Sequence, residues 1–487
     1  MSIVSVSSDR QVVYPEQGNF SPHFRYPEYP LESLSAGANA VYELVRRCLR
    51  ESGADAGRFD TPSWNPLGSW IKPGQRIFVM PNFVTNRRPR GSQEQFEATC
   101  THGSMVRAVL DYATIACGDA RLVSFGNAPI QSCDYARLVQ DSGALTIADF
   151  YSREAGAVIG PYDLRQLSTR WSRLGTLSDR KALAQGAATI VDLGPNSWLE
   201  ELFQSSSPAF RVGDYPPSDM MSHHALGLHS YVISRRLLEA DVVISVSKLK
   251  THRNVGISCA LKNSIGAVAR KECLAHFRKG DPSRGGDEYP QASRARAFSS
   301  WLADRAAEGD IGFFSNMLRV QSKILSRLLT YGKNGVRTGG WHGNDTAWRM
   351  VLDVARILRY ATIDGILRKT PQRAHLVFVD GIVAGEGEGP LRPKPLPIGM
   401  TLFSPNECAA DVVSALIMGF DPNKIPMVAR SFAPQAFPLN DGRLEDISII
   451  LDGRSFDPST LPALSSMIPT KGWIGMIERD SNDPDSL

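Results

Sequence analysis

Short runs of apolar, β-favouring residues recur along the chain, and each stops abruptly at a polar or glycine-containing segment. Such runs are typical of buried parallel strands that open into loops at their carboxyl ends. Between the first two runs, apolar residues at helical spacing predict a helix, so that strand, helix and strand form a βαβ unit. The predicted elements are strands at Arg76–Met80, Arg121–Phe125, Ala240–Val246 and Ala374–Val379, and helices at Val41–Glu51 and Ser104–Cys117.

This order predicts an α/β fold with an open, mostly parallel sheet, flanking helices and a long, mainly helical insertion. The insertion contains an amphipathic stretch, Phe298–Leu329. We assign its apolar face to the core or to a subunit contact rather than to a membrane surface, because acidic residues interrupt it. The predicted segments are an N-terminal extension with one amphipathic helix (1–70), two parts of the α/β core (71–270 and 374–470), an inserted cap or subdomain (271–373) and a polar tail (471–487).

The composition excludes several classes of protein. The 487 residues are 42% hydrophobic and 21% charged, which is typical of a globular chain, and a net charge of +4 is too small and dispersed for nucleic-acid binding. No apolar run has the length of a membrane-spanning helix or of a signal peptide, so we expect a cytoplasmic protein without a membrane span. The seven cysteines are scattered without a C-x-x-C pair, which favours reduced thiols and argues against an iron-sulfur cluster.

The densest polar cluster follows the third predicted strand. The segment Lys248–His252 (KLKTH) is predicted to form a loop that leads to a helix containing Lys262 and Asn263. Three lysines, a histidine and an asparagine suit an anion such as a carboxylate or phosphate, or covalent attachment through a lysine. The alternative is a solvated basic loop after an edge strand. Ligands bind outside the carboxyl ends of strands in open parallel sheets, so the clusters after the different strands are treated as one site.

A glycine-rich acidic cluster follows the fourth predicted strand. Directly after Asp380, the segment Gly381–Pro390 places four glycines around Glu386 and Glu388. The glycines imply a tight backbone path that brings carboxylates close to a metal or to a hydroxyl-rich substrate. An ordinary surface turn is the alternative.

Further polar residues are candidates for a metal or for substrate. His276 together with Asp287 or Glu288 has metal-ligand chemistry, although the spacing matches no established pattern, and a structural histidine is the alternative. Asn344 and Asp345 stand at a predicted helix start, where each is either a substrate ligand or an N-cap.

One further helix start carries polar residues, and several well-known catalytic motifs are absent from the sequence. Asn406 and Asp411 flank another helix start, where capping again competes with a role in a site. The sequence has no nucleophile elbow, phosphate-binding loop, zincin motif or dinucleotide-binding motif. A serine hydrolase, P-loop NTPase, zincin or dinucleotide dehydrogenase is therefore disfavoured.

Five segments in fixed order carry a family resemblance: LEADVVISVSKLKTH, CALKNSIGAVARKECLAHFRKGDPSRGGDEYP, WHGNDTAWR, DGIVAGEGEGPL and NECAADVVSALIMGFDP. With WNPLGSW, PNFV and Thr101-His102 upstream, they resemble domain-of-unknown-function family 362, specifically its long members found near bacterial surface-polysaccharide genes. The likeness covers nearly the whole chain. The sequence departs from the family pattern at Met80, where a lysine is expected, at Ser247, where a proline is expected, and at Ala275, where one of two histidines is expected. It also lacks the iron-sulfur domain that some relatives carry.

One segment, Glu239–Lys262, is in addition similar to the nickel-pincer lactate racemases. In that family a histidine takes part in proton transfer and a lysine tethers the cofactor. The similarity implies that His252 is the acid/base, that Lys262 is the tether or an anion clamp, and that His276 is a metal ligand. Histidine suits proton transfer because its pKa lies near working pH.

These observations favour an enzyme that acts on an anionic small molecule, such as a hydroxy acid or sugar acid, by proton abstraction or a metal-assisted step, with isomerase-like or lyase-like chemistry. The alternative is a non-catalytic binding or assembly factor in surface-polysaccharide production. A divalent metal is the candidate cofactor, no iron-sulfur cluster is expected, nucleic acid is not an expected partner, and oligomer formation is left open. The candidate residues are His252, Lys262 and Lys250 for catalysis; Lys248, Thr251, Asn263, Asn82, His102, Asn344, Asp345 and Arg349 for substrate; and His276, Asp287, Glu288, Asp380, Glu386 and Glu388 for metal.

Overall fold

The computed structural model describes residues 2–479, except positions 17, 89–90, 185, 205–206, 214 and 331–334. Within these residues the strands are β1 (Ser2–Ser8), β2 (Ile77–Pro81), β3 (Val123–Asn127), β4 (Tyr162–Asp163), β5 (Leu167–Trp171), β6 (Leu177–Ala182), β7 (Ala188–Asp192), β8 (Phe210–Arg211), β9 (His224–Ala225), β10 (Leu228–Ser234), β11 (Val242–His252), β12 (Gly256–Ser258), β13 (Phe277–Arg278), β14 (Ala374–Glu386), β15 (Lys394–Ser404), β16 (Ile447–Leu451) and β17 (Arg454–Phe456). The α-helices are α1 (Ala40–Glu51), α2 (Gln93–Glu97), α3 (Gly103–Cys117), α4 (Tyr135–Asp141), α5 (Ala144–Glu154), α6 (Pro217–His223), α7 (Arg235–Leu238), α8 (Ala260–Asn263), α9 (Arg294–Glu308), α10 (Phe313–Thr330), α11 (Ala347–Tyr360), α12 (Glu407–Ile417) and α13 (Pro426–Arg430).

Ten of these strands form one mixed sheet that is mostly parallel. Its order is β17-β16-β1-β15-β14-β11-β2-β3-β4, with β12 paired to the end of β11. Strands β4, β3, β2, β11 and β14 run parallel to one another. Strand β15 runs antiparallel between β14 and β1, and β1 is parallel to β16. This sheet with its flanking helices confirms the predicted α/β fold.

Apolar layers cover both faces of the sheet. In β2, Ile77 and Val79 belong to one buried cluster, whereas Phe78 and Met80 belong to the other, as the alternation of side chains along a strand requires. Helices α1 and α3 contribute to the first cluster, and α11 and α12 contribute to the second. Because both faces are buried, the central strands are continuous apolar runs, which is the pattern that made them predictable.

The predicted βαβ unit is present as β2, α3 and β3. Strands β2 and β3 pair in parallel, and α3 lies between them in the chain, ending at Gly118, whose φ of +82° closes the helix. The predicted helix at residues 41–51 is α1, and the side chain of Asn39 caps it by accepting the N–H of Tyr42. These predictions are correct to within two residues at each end.

The basic segment Lys248–His252 lies in a strand, so the predicted loop is wrong. Strand β11 continues to His252 because its last three residues pair with β12 in an antiparallel hairpin. Gly256, with φ +83°, lets the chain turn back tightly at the start of β12. The whole of β11 is buried, and the solvated-loop alternative is therefore excluded as well.

The glycine-rich segment after Asp380 is also largely a strand. Residues up to Glu386 continue β14 and pair with β15. A Cβ added to Gly385 would lie 2.7 Å from the carbonyl oxygen of Ala98, and one added to Gly389 would collide with the carbonyl oxygen of Thr251. These glycines therefore serve the close approach of neighbouring backbone segments.

The amphipathic stretch of the insertion forms a pair of helices, α9 and α10, joined by a short turn. Ser299 and Ser322 each donate a hydroxyl hydrogen bond to the other's carbonyl oxygen (3.2 and 2.9 Å), so the helices run antiparallel. Leu302, Ala306 and Leu318 form a small buried cluster between them. In the part of the chain that is described, no helix combines the length and the apolar character that crossing a bilayer needs. The division of the chain into five segments stays a prediction.

Candidate functional site

A cavity of about 220 Å³ opens at the carboxyl ends of three adjacent parallel strands. Asn82 follows β2, Asn127 ends β3 and His252 ends β11, and all three line the cavity. The volume corresponds to roughly seven molecules of liquid water, which suits a small ligand. Five of the residues predicted from the sequence line it together: Asn82, His252, Lys262, Asn263 and His276.

Lys262 contributes an unpaired ammonium group to the cavity. Among the described residues none hydrogen-bonds or ion-pairs with its Nζ, and burial alone lowers its pKa to about 8. A second lysine in the lining, Lys271, is satisfied by the carbonyl oxygen of Ile265 at 2.9 Å. Burial lowers the pKa of Lys271 to about 7. Lys262 is therefore the lining lysine whose charge still needs a partner.

Helix α8, which carries Lys262, is fixed by hydrogen bonds to two distant elements, α12 and β2. The carboxylate of Asp411 in α12 accepts the backbone N–H groups of Ala260 (2.7 Å) and Leu261 (3.2 Å). Burial raises the pKa of Asp411 to about 8. Asn263 donates to the carbonyl oxygen of Met80 at 2.9 Å. Asp411 thus caps α8 rather than its own helix, and the position of Lys262 depends on contacts of α8 with both α12 and β2.

The two histidines of the cavity are neutral and hold their protons on opposite atoms. Nδ1 of His252 accepts the backbone N–H of Asn254 (3.2 Å), so its proton is on Nε2. Nδ1 of His276 must donate to the carbonyl oxygen of Leu274 (2.8 Å), which leaves its Nε2 as an acceptor. Burial lowers the pKa of His276 to about 3 and, with the charge of Lys262, places the pKa of His252 well below 6.5. The cavity therefore offers one imidazole donor and one imidazole acceptor.

The electrostatic environment of the cavity is strongly positive. The described residues of its lining include Arg253 and two lysines but no aspartate or glutamate. Burial and the nearby Arg337 lower the pKa of Arg253 to about 10. Burial and the charges of Arg392 and Arg337 likewise lower the pKa of Arg88. Cations that destabilise one another in this way favour a bound anion.

Lys250, a predicted catalytic residue, contacts the cavity only through an asparagine. Its Nζ donates to Oδ1 of Asn82 (2.5 Å) and to the carbonyl oxygen of Thr99. Nδ2 of Asn82 in turn donates to Oδ1 of Asn263 (2.8 Å). Burial lowers the pKa of Lys250 to about 7. This arrangement makes Lys250 a positioning residue for the two asparagines of the lining.

Three more predicted residues form a separate buried network. Lys248 Nζ lies 3.1 Å from Asp380 Oδ2 and donates to the Tyr14 hydroxyl (2.6 Å), which donates to Asp380 Oδ1 (2.6 Å). The backbone N–H of His102 also donates to Asp380 (3.0 Å). The side chains of Lys248 and Asp380 are 0% exposed, and burial lowers the pKa of Lys248. The structure therefore places these residues outside the cavity lining.

The other predicted substrate ligands, Thr251, Asn344, Asp345 and Arg349, also lie outside the lining. Asn344 lies two residues before Thr346, the N-cap of α11; its side chain accepts the backbone N–H of Ala347 (2.9 Å) and donates to the carbonyl oxygen of His276 (2.9 Å). Arg349 pairs with Asp345 (3.1 Å) and with Glu201 (2.5 Å). Asn344 therefore supports the segment that holds His276, whereas Arg349 is occupied by carboxylates.

The predicted metal ligands are not brought together. Within the described residues no group of three or more histidine, cysteine, aspartate or glutamate side chains is arranged to hold a metal ion. The four carboxylates other than Asp380 have separate partners: Asp287 bonds to Arg278 and Thr346, Glu288 to Gly280 and Ser300, Glu386 to Lys394, and Glu388 to the backbone of Lys471. The assignment of a metal to these residues stays a prediction.

Six polar residues of the lining were not predicted from the sequence: Asn127, Tyr215, Arg253, Asn254, Ser258 and Lys271. Asn127 ends a predicted strand, and the rule that selected Asn82 would have selected it too. Arg253 and Asn254 directly follow His252, but only the hairpin geometry shows that they remain beside it. Lys271 has no local signal, because the loop after α8 brings it back to the cavity.

Residues 209–415, less than half of the chain, match the family described as Domain of unknown function (DUF362). A thylakoid-associated protein of Synechocystis sp. (strain PCC 6803) is 21% identical over 402 residues, which cover 82% of this chain and 76% of that protein. Among solved structures, a crystal structure of a Thermotoga maritima protein from a structural genomics consortium is 11% identical. The match covers 73% of this chain and about half (54%) of that one, with a TM-score of 0.26, too low to carry an argument.

Proposed function

The chain carries a DUF362 domain at residues 209–415, and from the geometry of its cavity we propose an enzyme that binds a small organic anion and transfers a proton on it. The observation that carries this proposal is the unpaired ammonium group of Lys262, in a cavity whose described lining includes no carboxylate. A carboxylate or phosphate group of the ligand would pair with Lys262, and charge-assisted hydrogen bonds of this kind are among the strongest in proteins.

The two imidazoles support proton abstraction next to that anionic group. Nε2 of His276 accepts the proton of the carbon, the electron pair of the C–H bond moves onto the adjacent carboxylate or carbonyl, and the oxygen that gains charge accepts a hydrogen bond from Nε2–H of His252. Return of a proton from water to the other face of the carbon, with His276 releasing its proton to solvent, gives an isomer; loss of a β-hydroxyl as water, with the proton that His276 took up, gives elimination. Hydroxy acids and sugar acids carry the required groups.

Hydrogen exchange in D2O tests this proposal whatever product the reaction forms. The protein is incubated in D2O with a panel of 2-hydroxy acids and sugar acids, and the α-hydrogen signal is followed by proton NMR. Catalysed loss of that signal for one class of anion is the expected result. A folded protein that exchanges none of them, at any ligand concentration that saturates binding, would contradict proton abstraction.

Replacing His276 by glutamine is expected to lower the exchange rate by about 10²–10⁴-fold, the usual contribution of a positioned acid or base, and replacing His252 by glutamine should lower it less. Affinity should change less than tenfold, because Lys262 is retained. His276→Gln removes the acceptor, and His252→Gln removes the imidazole donor but keeps an amide N–H. The rate at saturating ligand and the dissociation constant, measured separately, check this split. If a folded His252→Ala variant still catalyses hydrogen exchange, His252 takes no part in the reaction.

The affinity for an anion is expected to fall as the pH rises above about 7. Binding needs protonated lysines, and the pKa values of Lys271 and Lys262 in the free protein are about 7 and about 8. The dissociation constant should rise about tenfold per pH unit between the two pKa values, and about a hundredfold per unit above the higher one, where both lysines have lost their protons. His276 should add no dependence between pH 5 and 7, because its pKa of about 3 leaves it neutral throughout that range. Calorimetric titration with a bound anion from pH 6 to 9 checks the direction.

The alternative is a non-catalytic binding or assembly factor in surface-polysaccharide production. It is favoured by the low pKa of His276, about 3, since such an imidazole is a weak base towards carbon. Stoichiometric binding of an anion that is lost in Lys262 variants, with no hydrogen exchange and no change in the ligand, would select this alternative.

A further inference from the structure

The helical hairpin formed by α9 and α10 carries its large apolar side chains on the outside. Phe313, Phe314 and Leu328 are 87%, 66% and 68% exposed. Between the helices, in contrast, the contact includes the reciprocal hydrogen bonds of Ser299 and Ser322. Large apolar side chains on the outside of a helix pair are the reverse of the usual arrangement in water, and they match helices that face lipid.

The side of the hairpin that faces the rest of the protein is polar. Asn316 exchanges two hydrogen bonds with the backbone of Leu177 in β6 (2.8 and 3.0 Å). Lys323 donates to the carbonyl oxygen of Gly175 (3.0 Å). On α9, Asp304 pairs with Arg211 (3.0 Å). These contacts fix the orientation of the hairpin, so its apolar residues are held away from the body of the protein.

The exposed apolar residues of the two helices form one surface. On α10, Phe313, Met317, Ile324 and Leu328 recur at spacings of four and seven residues and therefore share a face. Phe298 and Trp301 of α9 stack with their ring centres 5.9 Å apart, each one residue from the line of contact with α10. In this antiparallel pair the exposed faces of both helices fall on the same side of that line.

Positive charge surrounds this apolar surface. Helix α10 contains no acidic residue, and its exposed Arg327 flanks the apolar face, while Arg294 and Arg305 lie on the exposed face of α9. The acidic residues that interrupt the sequence pattern are directed elsewhere: Glu308 accepts both the backbone N–H and the hydroxyl of Ser218, and only Asp310 in the turn is left on this side. These acidic residues therefore do not exclude a membrane surface, contrary to the expectation from the sequence.

We propose that the α9–α10 hairpin docks on the surface of a bilayer that contains anionic lipids, with its aromatic and aliphatic side chains in the interface and its arginines on the headgroups. Apolar and cationic side chains on one helical surface are the combination that binds such bilayers. A second copy of the chain fits less well. A symmetric dimer through this face would set the same patch against itself and bring arginines together without acidic partners.

Co-sedimentation of the full chain with vesicles tests the proposal. Vesicles of phosphatidylcholine alone are compared with vesicles that also contain phosphatidylglycerol. The variant Phe313→Ser/Phe314→Ser should weaken binding to the anionic vesicles at least about tenfold, and Arg305→Gln/Arg327→Gln should weaken it by about fivefold per arginine. Because all four side chains are exposed, these changes should leave folding intact. Val158→Ser/Leu226→Ser, at residues that are 79% and 72% exposed elsewhere, is the matched control.

Binding to anionic vesicles that the hairpin variants reduce and the control retains is the expected result. The proposal is overturned if the natural chain binds neither kind of vesicle, or if all variants bind equally. It is also overturned if the phenylalanine variant instead dissociates a dimer seen in analytical ultracentrifugation while vesicle binding is absent. The proposal does not depend on the proposed reaction, since the hairpin variants leave the cavity residues unchanged.

Discussion

Replacing Lys262 by methionine is expected to weaken anion binding by about 10²-fold or more, while the thermal stability of the free protein stays the same or rises. Binding weakens because the variant lacks the charge-assisted hydrogen bond between the ammonium group and the ligand. Stability does not fall, because Lys262 has no described partner to lose and its pKa of about 8 shows that burial disfavours its charged form at neutral pH. A substitution that weakens ligand binding without lowering thermal stability is characteristic of a functional residue.

Isothermal titration with the ligand found by hydrogen exchange, together with the melting temperature, measures both effects. Lys271→Met is the matched control, since Lys271 also lines the cavity but donates to a carbonyl oxygen of the protein. It should reduce affinity less than Lys262→Met does, and it should lower the melting temperature. If Lys262→Met binds the anion as tightly as the natural chain, the role of Lys262 as the anion clamp is wrong.

Replacing Asp380 by alanine is expected to lower the free energy of unfolding by about 3–5 kcal/mol, because it leaves Lys248 as an uncompensated charge in the interior. The substitution also removes the acceptor of the Tyr14 hydroxyl and of the His102 backbone N–H. The double variant Lys248→Met/Asp380→Ala should recover a large part of this loss, since no buried charge then remains unpaired.

Urea unfolding followed by circular dichroism measures these differences. Glu239→Ala, which breaks the exposed ion pair with Arg235, is the control and should change the free energy of unfolding by less than about 1 kcal/mol. A double variant that is as unstable as Asp380→Ala would mean that Asp380 acts through its other contacts. If the Asp380→Ala variant is stable and has lost only ligand binding, Asp380 instead has a role in the binding site.

The fold was largely predictable because burial on both faces leaves a strong local signal. Runs such as Phe78-Val79-Met80 have no polar face. The strands that such runs form, and the order of these strands along the chain, could therefore be predicted from the sequence. The ends of β11 and β14 could not, because their length depends on pairing with β12 and β15, which are distant or weakly marked in sequence. The alternation of lysine, lysine and histidine at positions 248, 250 and 252 was the one local sign of a strand.

The location of the candidate site could be predicted from the sequence, but only some of the residues that line it could be. Polar residues at strand ends selected Asn82 and His252, and both line the cavity. Three lysines that look equivalent in sequence lie in different buried environments. Lys248 pairs with a carboxylate, Lys250 donates to an asparagine, and Lys262 has no partner among the described residues. No spacing rule separates these three environments, because each depends on residues from other parts of the chain.

The segment that matches the family is not a unit that could fold independently. Residues 209–415 contain β11 and β14 but not β2, β3 or β1, which pair with the central strands in the full sheet. Expressed by itself, this fragment would turn β11, which is buried along its whole length and apolar in its first half, into an open edge that is prone to aggregation. It would also lack Asn82 and Asn127. Swapping this segment between relatives would therefore exchange only part of a binding site, and only chimaeras that carry residues 77–130 along with it would keep the described lining of the cavity whole.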